Sequence, residues 1–218
     1  MTTLQHGKTQ GRIDLAEQLV RVGRRFDERG WVMGTSGNFS VVIGQDPLRL
    51  AITPSAAFKG DLQADQILEM DDRGAPVDAP SPLGPTTTRP RVSAEALLHL
   101  EIVRARGAGA VLHTHSIWAT RLSERFAGAR GFFIEGYEML KGLEGVRTHE
   151  HREWLPIVEN DQDMARLSVV VRGVLEEHPE AHGFLLRRHG LYTWGNDLPQ
   201  AVRHVEILEF LLEVVGRD

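Results

Sequence analysis

The chain contains no cysteine among its 218 residues. That removes disulfides, thiolate nucleophiles and cysteine-based zinc or iron–sulfur sites, so any transition-metal site must be built from His, Asp or Glu. An excess of basic charge is also lacking. Twenty-five Lys and Arg stand against thirty Asp and Glu, a net charge of −5, and the basic residues are scattered, which argues against nucleic acid as a partner. No apolar run approaches the ~18 residues of a membrane span, and the opening MTTLQHGKTQ has no apolar h-region. The sequence therefore predicts a cytoplasmic protein with no membrane partner.

What remains is a globular composition, 41% hydrophobic and 25% charged, with ten histidines. A chain of this length buries ~70% of its unfolded surface, enough for a substantial core. Ile13, Ala16, Leu19, Val20, Gly23 and Phe26 recur at helical spacing and predict a helix over about 12–29, ended by Gly30. Ser40–Gly44 and Leu48–Thr53 read as a hairpin turned at Gln45, Asp46 and Pro47, with a further strand over Gln66–Met70. Half of the ten prolines fall in 75–90, which predicts an extended surface loop.

Beyond the loop, Ala94–Arg106 reads as a helix, Ala108–His113 as a buried strand and Ile117–Phe126 as a helix. Another helix spans Asn160–Glu177 with Asn160 as its cap. Strands follow at Gly183–Arg187 and Leu191–Gly195, then a closing helix through Val215 opened by Asp197 and Gln200 as a capping box. Strands mixed with helices and hairpins predict a single α/β domain of the α+β type over 1–218, its central sheet mostly antiparallel and flanked by helices.

His113, Thr114 and His115 end a strongly apolar strand, where alternation directs both imidazoles to one face. A catalytic zinc needs three protein ligands and an open position, and His189, in a turn with Gly190, supplies the third. The other histidines read differently. His149 and His151 lie among Glu150, Arg152 and Glu153, charges that indicate solvent. Pro179 breaks any helix that would align His178 with His182, so both read as loop residues. His99 and His204 sit inside helical patterns as packing residues, and His6 belongs to the polar start.

Thr35, Ser36, Gly37 and Asn38 precede a strand and suit a turn whose N–H groups receive an anion. Thr53 and Ser55, with Lys59 just beyond, form a second such turn, and Ser93 stands at a helix start. Together they suggest a phosphate. Acid–base work falls to a carboxylate, and either Glu95, before the HxH strand, or Glu138, after it, can face a metal; spacing does not choose between them.

In this order TSGN, TPS, SAE, HTHS and HG resemble the class II aldolase/adducin family over nearly the whole chain. Within it, HTHS, YEMLKG, GVRTHE, ENDQD and RRHGLYTWG are similar to its dehydratase branch. The resemblance implies a class II aldolase-like fold, one Zn2+ per subunit on His113, His115 and His189, and Glu138 as catalytic acid–base. Glu95 matches the carboxylate that serves the related aldolases at the metal as base. Phosphate contacts fall to Thr35, Ser36, Gly37, Asn38, Thr53, Ser55 and Ser93. The implied activity is dehydration of a small phosphorylated ketose by a homotetramer; a sugar-phosphate aldolase or 4-epimerase, and a metal-free adducin-like scaffold, are the alternatives. Ala56 stands where the family often has Gly, and Ala94 where it often has a second Ser.

Overall fold

A computed structural model describes residues 2–77 and 90–217, with side chains described from residue 14 onward. Helix α1 runs Thr2–Glu28, beginning earlier than the apolar periodicity predicts. Gly30 ends it in the left-handed conformation (φ 71°), where its N–H reaches the Asp27 carbonyl. Strands β1 (Asn38–Gln45) and β2 (Leu48–Ile52) form the expected hairpin, and β3 (Leu68–Asp71) pairs with β2. After β3 the chain turns back, and Pro76 bridges Met70, so the start of the proline-rich segment is still sheet-bound. Residues 78–89 of that expected loop, including Pro80, Pro82 and Pro85, lie outside the described residues.

Helix α2 (Ala96–Arg106) leads into β4 (Ala110–Thr114), then α3 (Ile117–Arg125). Two strands that the sequence reading lacks follow: β5 (Gly131–Glu135) and β6 (Arg152–Val158). Helix α4 (Met164–Glu177), β7 (Gly183–Leu186), β8 (Gly190–Gly195) and α5 (Leu198–Arg217) complete the chain. The cap of α4 is Asp163, which accepts from the Arg166 N–H, and not Asn160. Asp197 caps α5 by accepting from the Gln200 N–H, while Gln200 reaches back to the N–H of Asn196 and not to that of Asp197, a box displaced by one residue.

One eight-stranded sheet, ordered β3-β2-β1-β4-β8-β7-β6-β5, holds these strands. All its pairings are antiparallel except β6 with β7. Period-two alternation splits β4 between its faces: Val111 packs in the core under α2 and α4, whereas Ala110 and Leu112 join the core made with α1 and α5. His113 has the parity of Val111, so it faces the α2 side. Thr114 has the opposite parity and gives its hydroxyl to Glu209 of α5 at 2.5 Å. Among the described residues no helix is long and apolar enough to cross a membrane.

Candidate metal centre

Three neighbouring strands meet at one end of the sheet. Asn38, at the start of β1, is the partner of His113 at the end of β4, and His113 is in turn the partner of Tyr192 in β8. His115 follows β4, its N–H held by the Trp31 carbonyl at 2.7 Å. His189 precedes β8, and its carbonyl accepts from the Thr120 hydroxyl at 3.0 Å. The backbone alone thus aims three imidazoles at one point.

Their Nε2 atoms stand 2.8 Å (His113 to His115), 2.9 Å (His115 to His189) and 3.3 Å (His113 to His189) apart. Glu95, just ahead of α2, adds a carboxylate: Oε1 is 3.2 Å from His189 Nε2 and Oε2 is 3.9 Å from His113 Nε2. The sequence left Glu95 and Glu138 equal; the structure brings Glu95 to the histidines.

These residues fit a divalent ion. His113 donates from Nδ1 to the Leu191 carbonyl at 2.9 Å, which fixes the tautomer and turns the Nε2 lone pair toward the other rings. A tetrahedral ion with bonds of 2.0–2.1 Å spaces its donors about 3.4 Å apart, close to the separations seen. Burial, reinforced by His115, holds His113 well below the usual histidine range, and burial with His189 takes His115 to about 4. Both are therefore neutral near pH 7, the ligating form. Burial works against ionisation of Glu95. The hydrogen bond to His189, the nearby imidazole of His113 and the Asn38 amide at 2.5 Å outweigh it, and Glu95 titrates well below the carboxylate range.

Support extends one shell outward. The Asn38 carboxamide is committed at both ends, its nitrogen to Glu95 and its oxygen to His99 Nε2. His99 Nδ1 pairs with the Ser40 hydroxyl at 2.7 Å, so His99 is the hydrogen-bonded packing residue that the sequence predicts. Tyr192 stacks on His113, with centroids 3.9 Å apart and planes 12° from parallel. Sequence reasoning missed Tyr192; the only signal was its place one residue inside the strand after Gly190.

Two glycines are required by close approach. A Cβ on Gly37 would lie 2.7 Å from the His113 carbonyl, and φ there is 71°. A Cβ on Gly190 would lie 1.9 Å from the Thr114 carbonyl. The left-handed residue of the RRHG turn is Arg188 (φ 55°), so Gly190 serves strand contact rather than turn conformation.

Of the phosphate candidates, Lys59 is buried and its Nζ donates to the carbonyls of Ala57 (2.8 Å) and Thr35 (3.2 Å), tying the two hydroxyl-bearing turns together. Burial pushes its amine down to about 8, with Glu95 opposing. Thr35 and Ser55 are exposed, Ser36 and Gly37 half-buried, and the buried hydroxyl of Thr53 accepts from the Phe39 N–H. Ser93 accepts from the Glu95 N–H at 3.3 Å, so its hydroxyl also steadies the metal-side carboxylate. Ala56 takes φ 56°, a left-handed conformation that favours Gly.

Glu138 stands apart from the cluster. Its exposed carboxylate pairs with Lys141 at 2.6 Å and lies 3.9 Å from His149 Nδ1. The reading of Glu153 as solvated is corrected: Glu153 is 1% exposed and bonded to His151 and His182, while His149 is exposed as expected.

An eight-stranded, mostly antiparallel sheet with three histidines gathered at one end and Glu95 brought to them from just ahead of α2 defines the class. Residues 17–215 match the family described as Class II Aldolase and Adducin N-terminal domain, and the chain belongs to that family. The fold is shared with YgbL of Klebsiella pneumoniae, a putative aldolase/epimerase/decarboxylase (TM-score 0.75, 23% identity, 94% of this chain and 89% of that one). It is shared also with an L-fuculose 1-phosphate aldolase (TM-score 0.72, 22% identity, 92% and 84%). Relatives of higher identity are methylthioribulose-1-phosphate dehydratases. That of Methylococcus capsulatus is 41% identical, with 93% of each chain covered, and that of Pseudomonas fluorescens 42% identical, with 93% of this chain and 92% of the relative covered.

Proposed function

We propose that this chain, as one domain, removes water from 5-methylthioribulose 1-phosphate to give 5-methylthio-2,3-dioxopentyl 1-phosphate, a step of methionine salvage. Two things support the reading: the dehydratase relatives at about 41% identity over nine-tenths of the chain, and the convergence of three imidazoles, those of His113 and His115 held neutral by burial, with an ionised carboxylate. Zn2+ is the ion we assign to His113, His115 and His189, because an all-nitrogen set with Glu95 beside it suits its tetrahedral preference.

Bound there, a divalent ion supplies Lewis-acid polarisation of the substrate ketone. The residues do the rest. Thr35, Ser36, Gly37, Thr53, Ser55 and Ser93 receive the phosphate at the turns that the Lys59 ammonium joins, while Asn38 orients Glu95 from beneath. Glu95 takes the proton from the carbon next to the ketone. The hydroxyl on the following carbon leaves as water with a proton from Glu138, and the enol so formed ketonises with the carbon chain intact. Glu138 is exposed, as a carboxylate serving a neighbouring subunit's site would be, and a homotetramer is the assembly we assign.

Product analysis on purified protein supplied with the ketose phosphate tests the reading. One intact dicarbonyl supports it; two fragments would make the chain an aldolase, and a stereoisomer would make it an epimerase.

A further inference from the structure

A second group of ligating side chains lies away from the first, at the far side of the sheet, and the mechanism uses none of them. Glu153, at the start of β6, is buried, yet no Lys or Arg is bonded to it among the described residues. Its neighbours are two imidazoles. His151 Nε2 is 2.9 Å from Oε2, and His182 Nδ1 is 3.0 Å from Oε2 and 3.1 Å from Oε1. The His182 backbone N–H also donates to Oε1, at 2.9 Å.

The tautomer of His182 is fixed by a carbonyl. Its Nε2 donates to the Glu144 oxygen at 2.8 Å, and a carbonyl can only accept, so Nε2 carries a proton. In neutral imidazole the remaining Nδ1 lone pair then faces both oxygens of a buried carboxylate. Two acceptors do not share that distance without something positive between them. A proton on Nδ1 answers this contact, and so does a divalent ion; because His151 Nε2 reaches the same Oε2, an ion there can draw on His151 as well, with its Nε2 lone pair turned inward.

Room and charge agree. His151 and His182 line a cavity of about 380 Å³ whose wall also carries Glu144, Glu180 and His204 against a single arginine, Arg106. The cavity can hold the water that completes coordination around two imidazoles and one carboxylate, a donor set suited to divalent first-row ions and less to Mg2+ or Ca2+.

We propose that His151, Glu153 and His182 form a second site for a divalent transition ion, independent of the catalytic centre. Its role is structural: it ties the start of β6 to the turn before β7 and, through His182, to the backbone at Glu144.

The test counts metal. Chelator-stripped protein is equilibrated with Zn2+, dialysed and analysed for bound zinc. About two ions per chain are expected for the native protein, and about one for His151→Ala, whose turnover stays within about twofold of the native value. His189→Ala is expected to hold about one ion as well, with turnover lost. His151 is only partly buried, so its removal spares the fold, and zinc is expected to raise the melting temperature of His189→Ala but not of the double variant with His151→Ala. The proposal is overturned if native protein and His151→Ala bind the same amount of zinc. It is equally overturned if 15N NMR shows the His182 Nδ1 proton retained in the zinc-loaded protein, which would leave a proton as the only bridge.

Discussion

The Nδ1 proton of His113 is given to the carbonyl of Leu191, 2.9 Å away across the β4–β8 ladder. One hydrogen bond to the main chain therefore decides which nitrogen is free to ligate, and it does so from a strand that belongs to the opposite end of the sequence. The same strand is preceded by His189, so orientation of one candidate ligand and delivery of another are coupled.

Replacing His189 with Ala is expected to abolish turnover and to weaken zinc binding at the catalytic centre by more than the ~10–100-fold typical of losing an outer partner. Activity and metal titrations on the same preparation check this, and normal zinc affinity at that centre would refute the assignment.

Asn38→Ala removes the amide that holds Glu95 and the oxygen that receives His99. Metal affinity is expected to drop by ~10–100-fold with the fold retained. A change confined to KM for the phosphorylated substrate would instead make Asn38 a phosphate contact.

Glu138→Gln keeps the shape of an exposed side chain and touches no ligand. Turnover should collapse by ~100-fold or more while zinc content stays at the native value. Native turnover in this variant removes Glu138 from the reaction.

At Gly190 any side chain meets the Thr114 carbonyl. Gly190→Ala is expected to cost about 1–3 kcal/mol in urea unfolding and to reduce metal binding, because relief of the clash must part β4 from β8. Unchanged stability would mean that the two strands separate freely.

His204 is buried as a neutral ring: Nδ1 donates to the Trp194 carbonyl at 2.7 Å, and Nε2 accepts from the Glu144 N–H at 3.1 Å. Burial lowers its pKa to about 4. A group depressed in the folded state contributes stability above its unfolded pKa near 6.5, and that contribution is lost as pH falls through the folded value. Between these limits the loss is at most about 3 kcal/mol, visible as a falling melting temperature from pH 6.5 to 4 that His204→Gln flattens.

How far the sequence reaches is instructive residue by residue. His113 and His115 were legible because an apolar run with alternating parity leads directly into them, and His189 because a Gly follows it. The sheet's antiparallel character followed from its hairpins. β5 and β6 were not legible: Arg152 and Glu153 open β6 with charge, and Pro156 interrupts it, features that read as loop. Glu153 looked solvated because the histidine that pairs with its buried carboxylate lies 29 residues further on. The choice of Glu95 over Glu138 for the metal's side needed the fold as well, since only the packing of α2 against β4 carries Glu95 to the imidazoles. Asp163 displaced Asn160 as a cap because both side chains can accept from an N–H and only the backbone's entry angle separates them.

The meeting of β1, β4 and β8 at one sheet end means that the candidate ligands are brought together by strand pairing. Loosening either ladder should then degrade metal retention at sites remote from every imidazole, and tightening them should lengthen it.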